Sequence, residues 1–256
     1  MRYGQVLITR PLEESRELAD RLAQDGMQAI ILPAHDFSPL GLGADEVRRL
    51  QKAAAGAAPA LLIFTSPRSV EFGLGQVPPL VLQNAEIAAI GPGTAFRLQA
   101  AGIRVHLKPL TGYTSETLLK DMSARRQAGA RDGGSAFLLA APGGRTRLKE
   151  GLTELGFETH FLMVYERKAA ALAADAIEQI ERSASLLAIW TSAGAIDSMH
   201  RRLPATCWNR LCRAEWLVIS DRLRRVARAY SPKAIHLAAG PSNRDIHAAV
   251  QALAAD

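Results

Sequence analysis

Cysteine is almost missing from this chain: Cys207 and Cys212 are the two copies in 256 residues. A disulfide framework or a cysteine-rich metal centre needs more than one close pair, so both thiols are expected to be buried or free. The histidines, at 35, 106, 160, 200, 236 and 247, are scattered without His-x-x-x-His spacing, and no metal site is expected. Aromatic residues make up 5% of the chain and no Lys/Arg run exceeds two residues. That leaves too few stacking groups for a single-strand nucleic-acid platform. No apolar run approaches the roughly 20 residues of a spanning helix. A strand pattern already begins by Val6, which leaves no room for a signal peptide. The expectation is a cytoplasmic protein with neither a membrane nor a nucleic-acid partner. Also missing are the lysine of a Walker loop, the third glycine of a dinucleotide fingerprint, and any Gly-x-Ser-x-Gly or Ser/His/Asp order. The residues offer no cofactor site and no obvious nucleophile.

What the chain does have is a duplication. Leu61-Leu62-Ile63-Phe64-Thr65-Ser66-Pro67-Arg68-Ser69-Val70 is answered by Leu187-Ala188-Ile189-Trp190-Thr191-Ser192-Ala193-Gly194-Ala195-Ile196. Each is an apolar run closed by an aromatic, then Thr-Ser, two small or turn-prone residues and a β-branched apolar one a little further on. Upstream, Val6-Leu7-Ile8-Thr9-Arg10-Pro11 matches Ala136-Phe137-Leu138-Leu139-Ala140-Ala141-Pro142-Gly143-Gly144-Arg145. Downstream, Ile87-Ala88-Ala89-Ile90-Gly91-Pro92-Gly93-Thr94-Ala95 matches Trp216-Leu217-Val218-Ile219-Ser220-Asp221. The displacement is nearly constant and close to half the chain. It is too long for a solenoid and fits two similar lobes facing each other across a cleft. Composition agrees: 48% hydrophobic and 22% charged residues are ordinary for a globular protein of two domains. The net charge of +6, from 31 Lys+Arg against 25 Asp+Glu, favours anionic partners. A polyanionic small molecule suits it.

Short β-rich runs alternate with amphipathic stretches. Strands are expected near 5–9, 28–32, 60–64, 86–90, 103–107, 136–140, 158–164, 186–190, 216–219 and 234–237. Several are apolar without alternation, as in parallel strands buried on both faces. Helical patterns ending at Gly26, Gly102 and Gly156 give a helix–Gly–strand rhythm. The class is therefore α/β with mostly parallel sheets. Segment 34–58 reads as a hinge or docking stretch, Gln127–Ser135 as a loop and Glu166–Ala174 as a second transition. No amphipathic surplus advertises an interface, so a monomer is expected.

In parallel α/β sheets the ligand crevice lies beyond the carboxyl ends of the strands. That selects Thr9-Arg10-Pro11, Thr65-Ser66, Gly91 to Thr94, Pro142 to Arg145, Thr191-Ser192 and Ser220. Hydroxyls and helix N-terminal amides bind anions. The same Thr-Ser pairs also serve as helix caps, and one group can do both. Arg10 and Arg145 hold equivalent places in the two repeats, either as solvated arginines or as anion ligands. Arg145, Arg147 and Lys149 crowd one helix start, where cations are unfavourable to the helix dipole and an anion would relieve them. Gly112-Tyr113-Thr114-Ser115-Glu116 reads as a loop and capped helix start, with Tyr113 as a lid or packing residue. Tyr165 ends a strand at the second transition, as a core tyrosine or a crevice-facing hydroxyl.

The ordered set of these motifs resembles the uroporphyrinogen-III synthase family. The likeness is carried by Val6 to Pro11, Phe64 to Val70, Ile90 to Ala95, Leu155-Gly156 through Val164-Tyr165, Trp190 to Ile196 and Leu217 to Leu223, and covers almost the whole chain. It implies two flavodoxin-like domains joined by a two-stranded linker with a cleft between them. One domain would be discontinuous, residues 1–35 plus 168–256, and the other would span 37–165, with crossings near 34–37 and 166–170. It implies a cofactor-free lyase that cyclises hydroxymethylbilane, a linear polycarboxylate tetrapyrrole, with loss of water and inversion of ring D. A transient hand-off from the preceding deaminase goes with that role. By resemblance Tyr165 is the proton donor or positioner and Thr94 lines the cleft. Thr65, Ser66, Thr191, Ser192 and Ser220 would bind substrate carboxylates, with Arg10, Tyr113 and Arg145 alongside. The chain departs from the family at Ser220-Asp221-Arg222-Leu223, where many members carry a Gly-Pro-Thr-Thr-Ala type turn. Asp221 would oppose carboxylates there unless Arg222 or Arg224 offsets it. Two other readings stand beside the enzyme: a two-lobed anion- or tetrapyrrole-binding module without cyclase activity, and a nucleotide-dependent α/β enzyme, against which the missing phosphate loop counts.

Overall fold

The computed structural model describes residues 2–56, 59–127 (the Arg126 side chain aside), 133–143 and 146–255. In chain order the first elements are β1 (Gln5–Ile8), α1 (Leu12–Gln24), β2 (Gln28–Ile31), β3 (His35–Pro39), α2 (Ala44–Ala54), β4 (Leu61–Phe64), α3 (Pro67–Gly73) and α4 (Pro79–Asn84). There follow β5 (Glu86–Ala89), α5 (Pro92–Ala100), α6 (Ser115–Gln127), β6 (Gly134–Ala140), α7 (Thr146–Glu154), β7 (Phe157–Met163) and β8 (Tyr165–Ala169). The last are α8 (Ala174–Arg182), β9 (Leu186–Trp190), α9 (Ala193–Arg202), α10 (Ala205–Cys212), β10 (Glu215–Val218), α11 (Asp221–Arg228), β11 (Ala234–Leu237) and α12 (Asn243–Ala255).

The chain divides into two compact units, Met1–Phe37 with Lys168–Asp256, and Ser38–Arg167. The discontinuous unit holds a five-stranded sheet in the order β11-β10-β9-β1-β2; the continuous unit holds a four-stranded sheet in the order β5-β4-β6-β7. Every pairing described in these two sheets is parallel. The sequence repeats run across this division. In the first sheet β1, from the first repeat, pairs with β9, from the second, in the register Leu7↔Ala188. In the second sheet β4 pairs with β6 in the register Ile63↔Leu138. Each sheet is thus assembled from halves of both repeats.

The crossings are made by a separate two-stranded ribbon, β3 with β8. Leu40 N donates to Val164 O at one end and Ala170 N to Ala34 O at the other, so its strands run antiparallel. Segment 34–58, which reads as a hinge or docking stretch, holds β3 and then α2.

Alternation decides which helices cover which face. In the discontinuous unit Val6, Ile8, Leu187 and Ile189 pack with Leu18 and Leu22 of α1 and Ile246 and Val250 of α12. Leu7, Ala188, Trp190 and Trp216 pack on the other side with Ile180, Ile196, Met199 and Leu211. In the continuous unit Leu61, Ile63 and Leu138 meet Leu118 of α6 and Leu148 and Leu152 of α7. Strands apolar at every position are therefore buried on both faces, at roughly 1.5–3 kcal/mol per large side chain.

The helix–Gly–strand rhythm has a backbone cause. Gly26, Gly102 and Gly156 take φ of 74°, 76° and 81°, the left-handed region that ends a helix. After Gly26 the bond from Met27 N to Leu22 O closes a Schellman turn, and after Gly102 the bond from Ile103 N to Leu98 O does the same. The expected strand at 103–107 shrinks to one parallel bridge, Ala88↔Leu107.

Candidate functional site

The carboxyl ends of β4, β5 and β7 bring several of the selected residues together in the continuous unit. Thr65 Oγ1 donates to Leu139 O of β6 at 2.8 Å, so this hydroxyl ties two strand ends rather than capping a helix. Ser66 is the N-cap of α3: its Oγ accepts from Ser69 N at 3.1 Å, and Ser66 N donates to Ser69 Oγ at 3.1 Å. Ser66 Oγ also lies 3.1 Å from Tyr165 Oη. The Tyr165 ring stacks on Phe72, centroids 5.7 Å apart and planes 23° from parallel. With 9% of its surface exposed, Tyr165 is anchored but not sealed.

Thr94 sits in the first turn of α5, 2% exposed. The N-cap of that helix is Gly91, which offers no side-chain cap. A Cβ at Gly91 would meet nothing within 4 Å, and one at Gly93 only Pro67 Cγ at 3.6 Å. Neither glycine has a positive φ. The turn therefore does not demand glycine on conformational grounds; what the glycines do is leave the first amides of α5 uncovered. Glu71 joins the two helices, 2.7 Å from Arg68 and 3.3 Å from Arg97. Two guanidiniums, one on each helix, thus share one carboxylate. Arg68, Arg97 and Phe72 lie outside the positions that strand-end geometry selects, although Arg68 lies inside the duplicated motif.

In the discontinuous unit the selected positions again fall at strand ends, and serve differently. Ser192 Oγ accepts from Ala195 N at 3.1 Å and caps α9, and Ser220 Oγ accepts from Leu223 N at 3.3 Å and caps α11. Thr191, half-buried, follows β9 directly. Thr9 Oγ1 donates to Ile189 O at 2.8 Å, again tying strand ends. Arg10 is taken up within this unit: Nε and Nη2 bond Glu14 Oε2 at 3.1 and 2.7 Å, and Nη1 donates to Pro241 O at 2.7 Å. It fastens α1 to the turn before α12. Arg224 Nη1 lies 3.3 Å from Asp221 Oδ1, the offset that Asp221 called for.

Tyr113 lies on an exposed loop, 49% accessible with φ 39°, just ahead of α6. The start of α6 is capped as read: Thr117 N donates to Thr114 Oγ1 at 3.2 Å and Thr114 N to Thr117 Oγ1 at 3.0 Å. Arg145 lies outside the described residues. Both cysteines are free. Burial, and to a lesser degree Glu181, pushes the Cys207 thiol up to about 11, and burial raises Cys212 as well, so neither is an activated nucleophile. Among the described residues no group of three or more His, Cys, Asp or Glu could hold a metal ion. No helix among them is long and apolar enough to cross a membrane.

An α/β protein of two parallel-sheet units, with hydroxyls, open helix amides and arginines at the strand ends, is a class in which several activities occur. Comparison narrows it. Residues 16–247 match the family described as uroporphyrinogen-III synthase HemD. The chain is similar in structure to uroporphyrinogen-III synthetase from Helicobacter pylori, at 17% identity and a TM-score of 0.60, covering 98% of this chain and 99% of that one. It is also similar to a mutant uroporphyrinogen III synthase from the extremely thermophilic bacterium Thermus thermophilus, at 18% identity and a TM-score of 0.58, with the same coverage of 98% and 99%. At such identities the structures speak for the fold. The family match covers most of the chain, and the protein belongs to the uroporphyrinogen-III synthase family.

Proposed function

We propose that this chain is a uroporphyrinogen-III synthase in activity as well as in family. It is a cofactor-free lyase that closes hydroxymethylbilane with loss of water and inversion of ring D, working as a cytoplasmic monomer that receives its substrate from the preceding deaminase. The observation that carries the reading is the family match over residues 16–247, which takes in both Thr94 and Tyr165. Ring closure without an enzyme gives the uninverted isomer I, so the protein's task is to hold the chain where closure occurs at the substituted carbon of ring D. That is catalysis by orientation. The net charge of +6, the Arg68–Glu71–Arg97 group and the uncovered amides of α5 suit a polycarboxylate.

In this reading Tyr165 gives its proton to the departing hydroxyl. The carbon–oxygen bond breaks, water leaves with the bonding pair, and a cationic azafulvene remains for attack through a spiro intermediate. Thr94 and the α5 amides hold carboxylates at one end of the substrate, and Thr191, Ser192 and Ser220 contribute from the other unit.

The test generates hydroxymethylbilane in situ, adds the protein and separates the uroporphyrin isomers after oxidation. Predominant isomer III is expected. Tyr165→Phe should lower kcat by about 100-fold, the scale of a lost general acid, with KM little changed. Isomer I at the spontaneous rate from folded protein would overturn the reading. It would favour a binding module without cyclase activity, an alternative prompted by the self-capped turn at Ser220.

A further inference from the structure

We infer that Ser66 is a positioning residue for Tyr165: from the end of α3 it fixes the phenol oxygen and supplies the hydrogen bond that this oxygen needs once its proton has gone. The inference rests on the reading of Tyr165 as proton donor and changes the role of Ser66 from binding substrate carboxylates to serving the tyrosine.

The geometry is a two-point hold delivered by one short helix. Ser66, at the N-cap of α3, reaches Tyr165 Oη at 3.1 Å. Phe72, near the other end of α3, stacks on the ring at 5.7 Å. Both contacts require α3 to lie against the strand end that leads into Tyr165. Gly73 permits it: a Cβ there would stand 2.8 Å from Leu139 Cδ2 and 3.0 Å from Val164 Cγ2, the residue just before Tyr165. Tyr165 is thereby held in ring plane and hydroxyl direction.

The hydroxyl inventory explains why a serine suits the place. A serine hydroxyl has one donor and two acceptor lone pairs. One lone pair of Ser66 is taken by Ser69 N, and Ser69 Oγ holds Ser66 N in return. The second lone pair and the O–H remain for Tyr165 Oη. While the phenol keeps its proton, Ser66 can accept it as a hydrogen bond. When Oη has passed that proton to the leaving hydroxyl, the O–H electron pair stays on Oη, and Ser66 turns its own O–H onto the new phenolate. Only rotation about Cβ–Oγ is needed, and the helix cap stays in place. No proton passes through Ser66; Oη recovers its proton when the closed macrocycle gives one up. Ser192 and Ser220 cap their helices in the same way, so capping alone does not account for the tyrosine beside Ser66.

The test pairs a spectroscopic readout with kinetics. The protein is labelled with tyrosine carrying carbon-13 at Cζ, and the Tyr165 signal is assigned by its loss in Tyr165→Phe. Ser66→Ala should move that signal in the substrate-free protein, and Ser66→Thr, which keeps the hydroxyl, should return it. In the cyclisation assay Ser66→Ala should lower kcat about 10-fold or more, the scale of a hydrogen bond to a charged group, with KM within about two-fold; Ser66→Thr should recover most of it. Should the alanine variant not fold, Ser66→Gly keeps most of the capping stability and replaces it. An unmoved signal overturns the inference, as does a raised KM at unchanged kcat, which would return Ser66 to substrate binding. Either result beside wild-type isomer III leaves the proposed function standing. Wild-type protein that yields only isomer I overturns both.

Discussion

The turn after β5 and the turn after β10 occupy equivalent places in the two repeats and solve the same helix-start problem in opposite ways. In Gly91-Pro92-Gly93-Thr94 the N-cap has no side chain, the first turn carries no acid, and the amides of α5 are left open. In Ser220-Asp221-Arg222-Leu223 the serine caps α11, Asp221 sits in the first turn where a negative charge suits the dipole, and Leu223 fills the buried place of Thr94. One turn caps its own helix with a side chain and the other does not. At the opposite edge of the sheets the asymmetry reverses. Glu86 opens β5 and Glu215 opens β10, yet Glu86 meets Arg125 at a half-exposed site. Glu215 is 5% exposed and is bonded by Tyr3 Oη at 2.6 Å, by His236 Nε2 at 2.8 Å and by Arg2 and Lys233, each at 3.2 Å. A duplicated fold can thus keep one residue type at a position while only one copy becomes a buried anchor, and the discontinuous unit, which must join two chain segments, is the one that has it.

The sharpest way to break this comparison is acid. Burial would raise the Glu215 carboxyl, but hydrogen bonds from Tyr3, His236, Lys233 and Arg2 outweigh it and hold it at about 2 against an ordinary 4.5. The same carboxylate, after burial, helps to raise the Tyr3 phenol. A carboxyl depressed on folding contributes stability above its unfolded value and loses it as pH falls through the folded one. The window is about pH 4.5 down to 2, and the amount is on the order of 3 kcal/mol. All three tryptophans, Trp190, Trp208 and Trp216, lie in the discontinuous unit, so their fluorescence follows that unit alone. Urea midpoints read by fluorescence should fall across this window. Glu215→Gln should lower the stability at neutral pH by about 2–3 kcal/mol and flatten its acid dependence. Parallel pH curves for wild type and variant would remove Glu215 as the anchor.

Exchanging the two turns gives the next largest effect. Gly91→Ser with Pro92→Asp gives α5 its own cap and an acid where a substrate carboxylate is proposed to bind. KM should rise about 10-fold or more, from occupied amides and like-charge repulsion. The reverse exchange, Ser220→Gly with Asp221→Pro, should lower Tm by a few degrees through the weakened cap and lost dipole interaction, with a much smaller change in KM. Equal KM changes from both exchanges would mean that the turns bind alike despite their caps.

What the sequence makes legible follows from where burial is strong. The central strands β1, β4 and β9 are apolar runs, and the helix-ending Gly26 and Gly156 mark the starts of β2 and β7, so these boundaries can be read directly. The ribbon cannot be read this way. His35–Pro39 and Tyr165–Ala169 are polar and half exposed, and their pairing joins positions far apart in the chain. Residues 103–107 fail in the other direction. Ile103, Val105 and Leu107 alternate with Arg104 and His106 like a strand, yet among them only His106 and Leu107 bond to β5, around the single bridge Ala88↔Leu107. Functional positions at strand ends are legible because parallel α/β geometry selects them. Their division of labour is not. Nothing local in Arg10 announces its bonds to Glu14 and Pro241 O, and nothing local in Thr65-Ser66 announces a tyrosine from the end of a strand almost a hundred residues on.

The smallest expected effect tests the quiet member of the glutamate pair. Glu86 reaches Arg125 at 2.9 Å, with 35% and 50% of the two side chains exposed. Water screens such a pair, and fixing two long side chains offsets most of its attraction. Glu86→Gln should therefore change the stability of the continuous unit by no more than about 0.5 kcal/mol, and added salt should shrink the difference further. The readout must come from that unit, which has no tryptophan, so hydrogen exchange at Ile87 and Ala88 of β5 is the measurement to make. A loss there as large as that of Glu215→Gln would show that the exposed glutamate anchors its sheet too. The two copies would then differ in surroundings but not in duty.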